Sequence, residues 1–275
     1  MATEIPTGPV HFSRLKKFRL SAAHYLDHPE QRTPSTGKGS ALHSVLLGGK
    51  RVVVYEDGAR NEKFAKFREF KAANEGAQIL IPSESKDVVG MRKSIEAHPI
   101  AMRLLDGVRE TLIEWEFAGR SLAGTPDVVH LDGLPAMRFD DFDFAGCDGK
   151  VGVELKTSKT AAPWMFPWEC KRFNYYTQCD WYKTGIERSM AYPPGEVTEF
   201  FIVTVESTPP YPVTLFRVEP RALARARMEW REWMDRLLAC ERSGKFPAYT
   251  NQVVSIGLDD GLDLDWSARD DEAAA

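Results

Sequence analysis

The chain has 275 residues, 43% of them hydrophobic and 11% aromatic, enough apolar material for one large core or two small ones, which excludes a mainly disordered or coiled-coil protein. No apolar run approaches the ~20 residues a membrane span needs, and the opening MATEIPTGPVHF lacks the features of a secretory signal, so a cytoplasmic protein with no membrane role is expected. The formal charge of −4 is unevenly placed: residues 257–275 contribute −6, leaving +2 on residues 1–256, and the first fifty residues hold seven Lys/Arg against three acids. That local excess of base suits either a phosphate backbone or an ordinary solvated surface.

In chain order, the first third reads as helical. Ser21 is a capping residue, a turn-rich stretch runs from Pro34 to Gly39, and a helix from Ser40 stops at Gly48-Gly49. Residues 61–75 place Phe64, Phe67 and Phe70 on one side. A helix from Ser83 carries Val88, Met91 and Ile95 at helical spacing, breaks near His98-Pro99 and resumes through Leu105. From Thr111 the period shifts towards two, predicting strands at 111–118, 127–131 and 151–156 with an Asp- and Gly-rich excursion at 132–150. A helix over 168–184, a hairpin of 200–205 with 213–218, and a closing amphipathic helix over 221–242 complete the reading. With no internal repeat and no long linker, residues 1–256 read as one α/β domain, a small mixed central sheet flanked by helices, and 257–275 as an acidic tail.

The residues that point to chemistry are Gly124-Thr-Pro-Asp127 and Val153-Glu154-Leu155-Lys156. On a strand Glu154 and Lys156 share one side while Leu155 enters the core, and Pro126 holds the residue before it extended ahead of Asp127. A pair of carboxylates suits a hard divalent cation, and an adjacent ammonium can orient water or offset developing negative charge. Trp164, Phe166 and Trp168, just after this strand, are open to core packing or to stacking on a base. The four cysteines (Cys147, Cys170, Cys179, Cys240) form no C-x-x-C pair and no zinc spacing, and read as free thiols.

Pro126-Asp127 with Glu154-Leu155-Lys156 resembles the motif of the PD-(D/E)-x-K nuclease superfamily, and within it the chain is more similar to the RecE-type (exonuclease VIII-like) phage and prophage exonuclease domain. Three further segments carry that likeness: Gly39-Ser-Ala-Leu-His43-Ser-Val-Leu-Leu-Gly48 resembles the family's histidine helix, Ser83–Pro99 its intervening helix, and Gln178-Cys-Asp-Trp-Tyr182 its Q-x-x-x-Y motif. The resemblance spans roughly residues 12–220. It implies a restriction-endonuclease-like core, with His43, Asp127, Glu154 and the Leu155 carbonyl binding Mg²⁺ or Mn²⁺ and Lys156 positioning a metal-activated water. Gln178 and Tyr182 share a helix face, open to a role on the scissile strand or on Lys156 and equally to packing beside Trp181. The other histidines (His11, His24, His28, His98, His130) read as core residues bonded to backbone.

Two departures stand out. Twenty-six residues separate Asp127 from Glu154, an insertion holding Asp140, Asp141, Asp143 and Asp148 that reads as a polar surface hairpin. Related exonucleases with an iron-sulfur cluster need an N-terminal cysteine, and none precedes Cys147, so no cluster is expected. The implied function is a metal-dependent exodeoxyribonuclease that degrades linear double-stranded DNA from its ends, 5′ to 3′, leaving 5′-phosphate products and 3′ single strands for recombination. A ring-shaped homo-oligomer and a single-strand annealing partner belong to the same implication. The alternatives are a structure-specific endonuclease or nickase on the same fold, and a non-catalytic DNA-binding or assembly protein.

Overall fold

The computed structural model describes residues 5–27, 34–139 and 142–255. Asp140, Asp141, His28 and the acidic tail lie outside them. A short strand β1 (Val10–His11) leads into a helical turn α1 (Phe12–Leu15), a 3-10 turn (Lys16–Arg19) and α2 (Ala22–Leu26), which Ser21 caps by accepting from the His24 amide at 3.4 Å. Next come α3 (Pro34–Leu47), β2 (Val52–Val54), α4 (Ala65–Ala73), β3 (Gln78–Leu80), α5 (Pro82–Glu96) and α6 (Pro99–Leu104). Both α5 and α6 open on a proline, whose missing N–H costs nothing there, and the Glu84 carboxylate accepts from the Ile81 amide at 3.1 Å to finish the α5 terminus.

The second half is built on strands: β4 (Val108–Arg109), β5 (Ile113–Phe117), β6 (Arg120–Gly124), β7 (Val128–His130), β8 (Met137–Phe139), β9 (Phe142–Phe144) and β10 (Lys150–Ser158). Helices α7 (Phe166–Phe173) and α8 (Tyr175–Arg188) follow, then β11 (Val197–Glu206), β12 (Val213–Arg217) and α9 (Pro220–Ser243). The central sheet runs β12-β11-β10-β7-β4, with β10 and β11 parallel and the remaining pairs antiparallel.

Strand alternation divides the interior in two. Val151, Val153 and Leu155 of β10, with Phe201, Val203 and Val205 of β11, join a cluster that includes Leu42 of α3, Met91 and Ile95 of α5 and Leu104 of α6. Phe200 and Ile202 face the other way, into a cluster with Phe12, Trp115, Trp181 of α8 and Trp230 of α9. Glu154 and Lys156 therefore leave β10 on the side of α8. Among the described residues no helix is long and apolar enough to cross a membrane.

Several expectations need correction. Pro34–Gly39 belongs to helix α3 and is not a turn. The helix expected over 168–184 is two helices, because Asn174 adopts the left-handed conformation (φ 59°) that ends α7. The strand expected over 111–118 turns back at Ala118-Gly119, both at positive φ, to form the unforeseen β6, and the parallel β2–β3 pair was also unforeseen. Of the remaining histidines, His130 is a buried residue bonded to the Leu104 carbonyl, but His98 caps α6, His11 is exposed and His24 meets Ser21. The 132–150 excursion contains the β8–β9 hairpin, where exposed Asp143 pairs with Arg138 at 2.8 Å.

The α8–α9 contact hinges on one buried acid. Asp180 is fully buried and accepts from Trp230 Nε1 at 2.7 Å and from Arg227 at 3.0 and 3.2 Å. Removing it strands a buried indole N–H and a cation that is only partly solvated. Asp180→Ala is expected to lower stability by about 3 kcal/mol, and Asp180→Asn by less because an acceptor remains; urea unfolding of the three proteins measures both.

Candidate active site

Strands β7 and β10 part after the Val128–Val153 pair. Beyond that point the amide and carbonyl of Leu155 point to the side that β7 has left, and both must find other partners. The amide donates to Asp127 Oδ2 at 2.7 Å, and the carbonyl accepts from His43 Nε2 at 2.8 Å. Two side chains thus take the place of a missing strand residue. Asp127 is further held by its own backbone, its amide donating to Glu154 Oε1 at 3.3 Å, while Glu154 Oε2 receives Lys156 Nζ at 2.5 Å.

Because a carbonyl only accepts, the proton of neutral His43 sits on Nε2 and leaves a lone pair on Nδ1. Burial, and next the Lys156 charge, hold the His43 pKa below its ordinary value, so the ring is neutral near pH 7. Its Nδ1 faces Asp127 Oδ1 at 3.5 Å. Two electron-rich atoms opposed at that distance need a proton or a cation between them. Glu110 completes the arrangement: ligand atoms of His43, Glu110 and Asp127 all lie within 4.8 Å of one another, so the three can hold a metal ion. A fixed imidazole tautomer and two carboxylates suit Mn²⁺ as well as Mg²⁺.

Sequence reasoning missed Glu110. It lies outside the motifs, is exposed, and reaches the group because its backbone takes a left-handed turn (φ 43°) with its amide donating to the Asp127 carbonyl at 3.1 Å. Glu154 stands beside the group, with one oxygen on the Asp127 amide and the other on Lys156. The Leu155 carbonyl is engaged by His43. Gln178 and Tyr182 do lie together on α8, with Gln178 Nε2 donating to the Tyr182 hydroxyl at 3.3 Å. Tyr182 packs on the chain just before Asp127, since a Cβ at Gly124 would sit 2.7 Å from its ring. Phe166 is core, whereas Trp164 and Trp168 are exposed. The cysteines are free thiols, and Asp143 and Asp148 are exposed in the insertion and are not members of the His43 group.

Burial sets the electrostatics. Desolvation, and then the Asp127 charge, push Glu154 up to about 7; desolvation pushes Asp127 up to about 6 against the pull of Lys156. For Lys156 burial acts downward, but the Glu154 and Asp127 carboxylates overcome it and hold the pKa above its ordinary value. The ammonium is therefore a permanent charge, and two carboxyls share it.

These shifts have a definite sign. In the unfolded chain the two carboxyls release their protons near 3.8 and 4.5, and in the fold near about 6 and about 7. Their contribution to stability is complete below the lower pair of values and is lost as pH rises through the upper pair. The metal-free protein should melt at falling temperatures as pH is raised from about 5 to about 8. Added Mn²⁺ should restore more at the high end, with protons released on binding below about 7, where the carboxyls still hold them. Titration calorimetry in buffers of different ionisation enthalpy reads the protons directly. In the same assay His43→Ala and Glu110→Ala should each weaken Mn²⁺ binding by about tenfold or more, while circular dichroism shows the fold retained.

No protein-family model matches the sequence, and no curated protein matches it. Among solved structures the chain is similar to the crystal structure of a "putative exonuclease" from Eubacterium rectale, with a TM-score of 0.59 and 14% identity over 94% of this chain and 93% of that one. At that identity the likeness establishes the shared mixed α/β fold, over nearly the full length of both chains.

Proposed function

We propose that the protein is a metal-dependent deoxyribonuclease of the PD-(D/E)-x-K type, acting as a RecE-like exonuclease on the ends of linear duplex DNA. One observation carries the reading: Asp127, Glu154 and Lys156 interlock where β7 leaves β10, beside the His43 lone pair that faces Asp127. The description of the Eubacterium rectale protein as an exonuclease agrees with it. His43, Asp127 and Glu110 would hold Mg²⁺ or Mn²⁺, with Glu154 and the Leu155 carbonyl, the other two ligands that the motif resemblance implies, beside them. When bound, the ion supplies a water of lowered pKa and neutralises charge on the phosphate.

The chain's own groups then divide the work. Lys156 stays protonated, so it acts as a hydrogen-bond donor and fixed charge towards the water and the phosphate, not as a base. Glu154, raised to about 7, is poised to exchange a proton near neutral pH. Gln178 and Tyr182 hold the opposite wall against Gly124 and fix where Asp127 enters the site. Digestion in the 5′-to-3′ direction, a ring-shaped assembly and a strand-annealing partner are the finer parts of the same proposal.

End-labelled linear duplex and covalently closed circles, incubated with Mg²⁺ or Mn²⁺, test it. Linear DNA should be consumed from its 5′ ends and circles spared, with Asp127→Ala, Glu154→Ala and Lys156→Ala each reducing the rate at least about 100-fold. Near-wild-type rates in two of these three variants would refute the site. Nicking of closed circles that Glu154→Ala abolishes would make the protein an endonuclease instead.

A further inference from the structure

The chain leaving β10 exposes aromatic rings that a soluble surface would normally bury. Trp164 is 77% exposed, Trp168 45% and Phe173 41%, all on α7 or the turn that starts it. Only Phe166 of this run goes inward, so core packing does not explain the others. Two of the exposed rings carry cations on their faces. Lys171 Nζ lies 4.7 Å from the Trp168 centroid, and the Arg172 guanidinium lies 5.3 Å from that of Phe173. From Lys159 to Phe173 there are three bases against one acid, Glu169, which itself lies 3.8 Å from Arg172.

This surface is continuous with the candidate active site. Phe173 stacks on Tyr175 with centroids 5.7 Å apart and planes 28° from parallel, and the Tyr175 ring lies 5.4 Å from Lys156 Nζ. The N-terminal turn joins the same edge: Arg19 donates to the Arg172 carbonyl and, at 3.2 Å, to Asn174 Oδ1. Residues 12–19 contain four bases and no acid, and the Lys16 pKa is lowered first by burial and next by Lys156.

We propose that Trp164, Trp168 and Phe173 form a stacking platform for unpaired bases of single-stranded nucleic acid, with Lys171, Arg172 and the N-terminal bases facing its phosphates. The inference rests on the nuclease reading and deepens it, naming the form in which the strand lies beside Lys156. Rings that stack on bases need those bases out of the duplex, and cations interleaved with the rings match a phosphate backbone better than they match the apolar face of a protein partner.

A 5′-fluorescein oligothymidylate in EDTA tests the platform without metal or cleavage. Binding to the wild-type protein should quench tryptophan fluorescence and raise dye anisotropy. Trp164→Ala/Trp168→Ala should lose most of that quenching and weaken affinity by between about 5-fold and 100-fold, with an unchanged melting temperature because both rings are exposed. Lys171→Ala should make affinity less salt-dependent. Unchanged affinity and quenching in the double variant would overturn the proposal. So would a wild-type oligomer that the double variant breaks down while DNA binding persists, since the rings would then cover a second copy. Failure of the nuclease reading looks different: normal oligothymidylate quenching, lost in the double variant, with no cleavage of any DNA in Mg²⁺ or Mn²⁺.

Discussion

An unpaired stretch of strand governs this site. Where β7 departs, Leu155 keeps an amide and a carbonyl that a neighbouring strand would have satisfied, and leaving each buried and unmatched costs about 1–3 kcal/mol. Asp127 supplies the acceptor and His43 the donor. Satisfying the backbone therefore fixes two candidate ligand side chains, one on each polar group of the Leu155 backbone edge. Their second atoms, Asp127 Oδ1 and His43 Nδ1, are left facing one another. The folding constraint and the geometry of the candidate metal group are the same set of contacts.

That arrangement requires α3 to approach β10 closely. Gly39 lies one helical turn before His43, and a Cβ there would sit 2.8 Å from Thr157 Oγ1 on the same strand. The missing side chain lets the helix seat against β10 at the level where its imidazole reaches Leu155. Gly124 performs the matching service on the other wall, where a Cβ would meet the Tyr182 ring. Both glycines are used for space and not for an unusual backbone angle, since neither has a positive φ.

This explains what could be read in the sequence and what could not. The strand that follows Asp127 and the one carrying Glu154 announced themselves through β-branched runs, and α9 through its regular apolar stripe, because those patterns are set by the core they face. Pro34–Gly39 misled because glycine in a helix at a close contact looks identical, in sequence, to glycine in a turn. The break at Asn174 depends on one residue's left-handed backbone, to which the apolar spacing on either side is blind. The β2–β3 pair consists of two three-residue strands, too short for a period to register. Glu110 was illegible for a different reason: an exposed acid at a strand edge is unremarkable until a positive φ, costing of order 1–3 kcal/mol for a residue with a side chain, turns it towards Asp127.

Charge then divides the surroundings of Lys156. On one side lie the buried Glu154 and Asp127 carboxylates, with exposed Glu110 beside Asp127, a group that could hold a divalent cation. On the other lie Tyr175 and the cations of α7 and of residues 12–19, which the proposed platform turns towards phosphate. A negatively charged strand would be repelled by the acidic side alone and would be held out of reach of it by the basic side alone. Lys156 touches both, paired to Glu154 and facing Tyr175, so in the proposed function a cation held by the acidic group would remove the repulsion at the place where the basic surface would bring a phosphate. The overall charge of −4 conceals this, because local asymmetry around one lysine, and not the sum over the chain, decides what can approach.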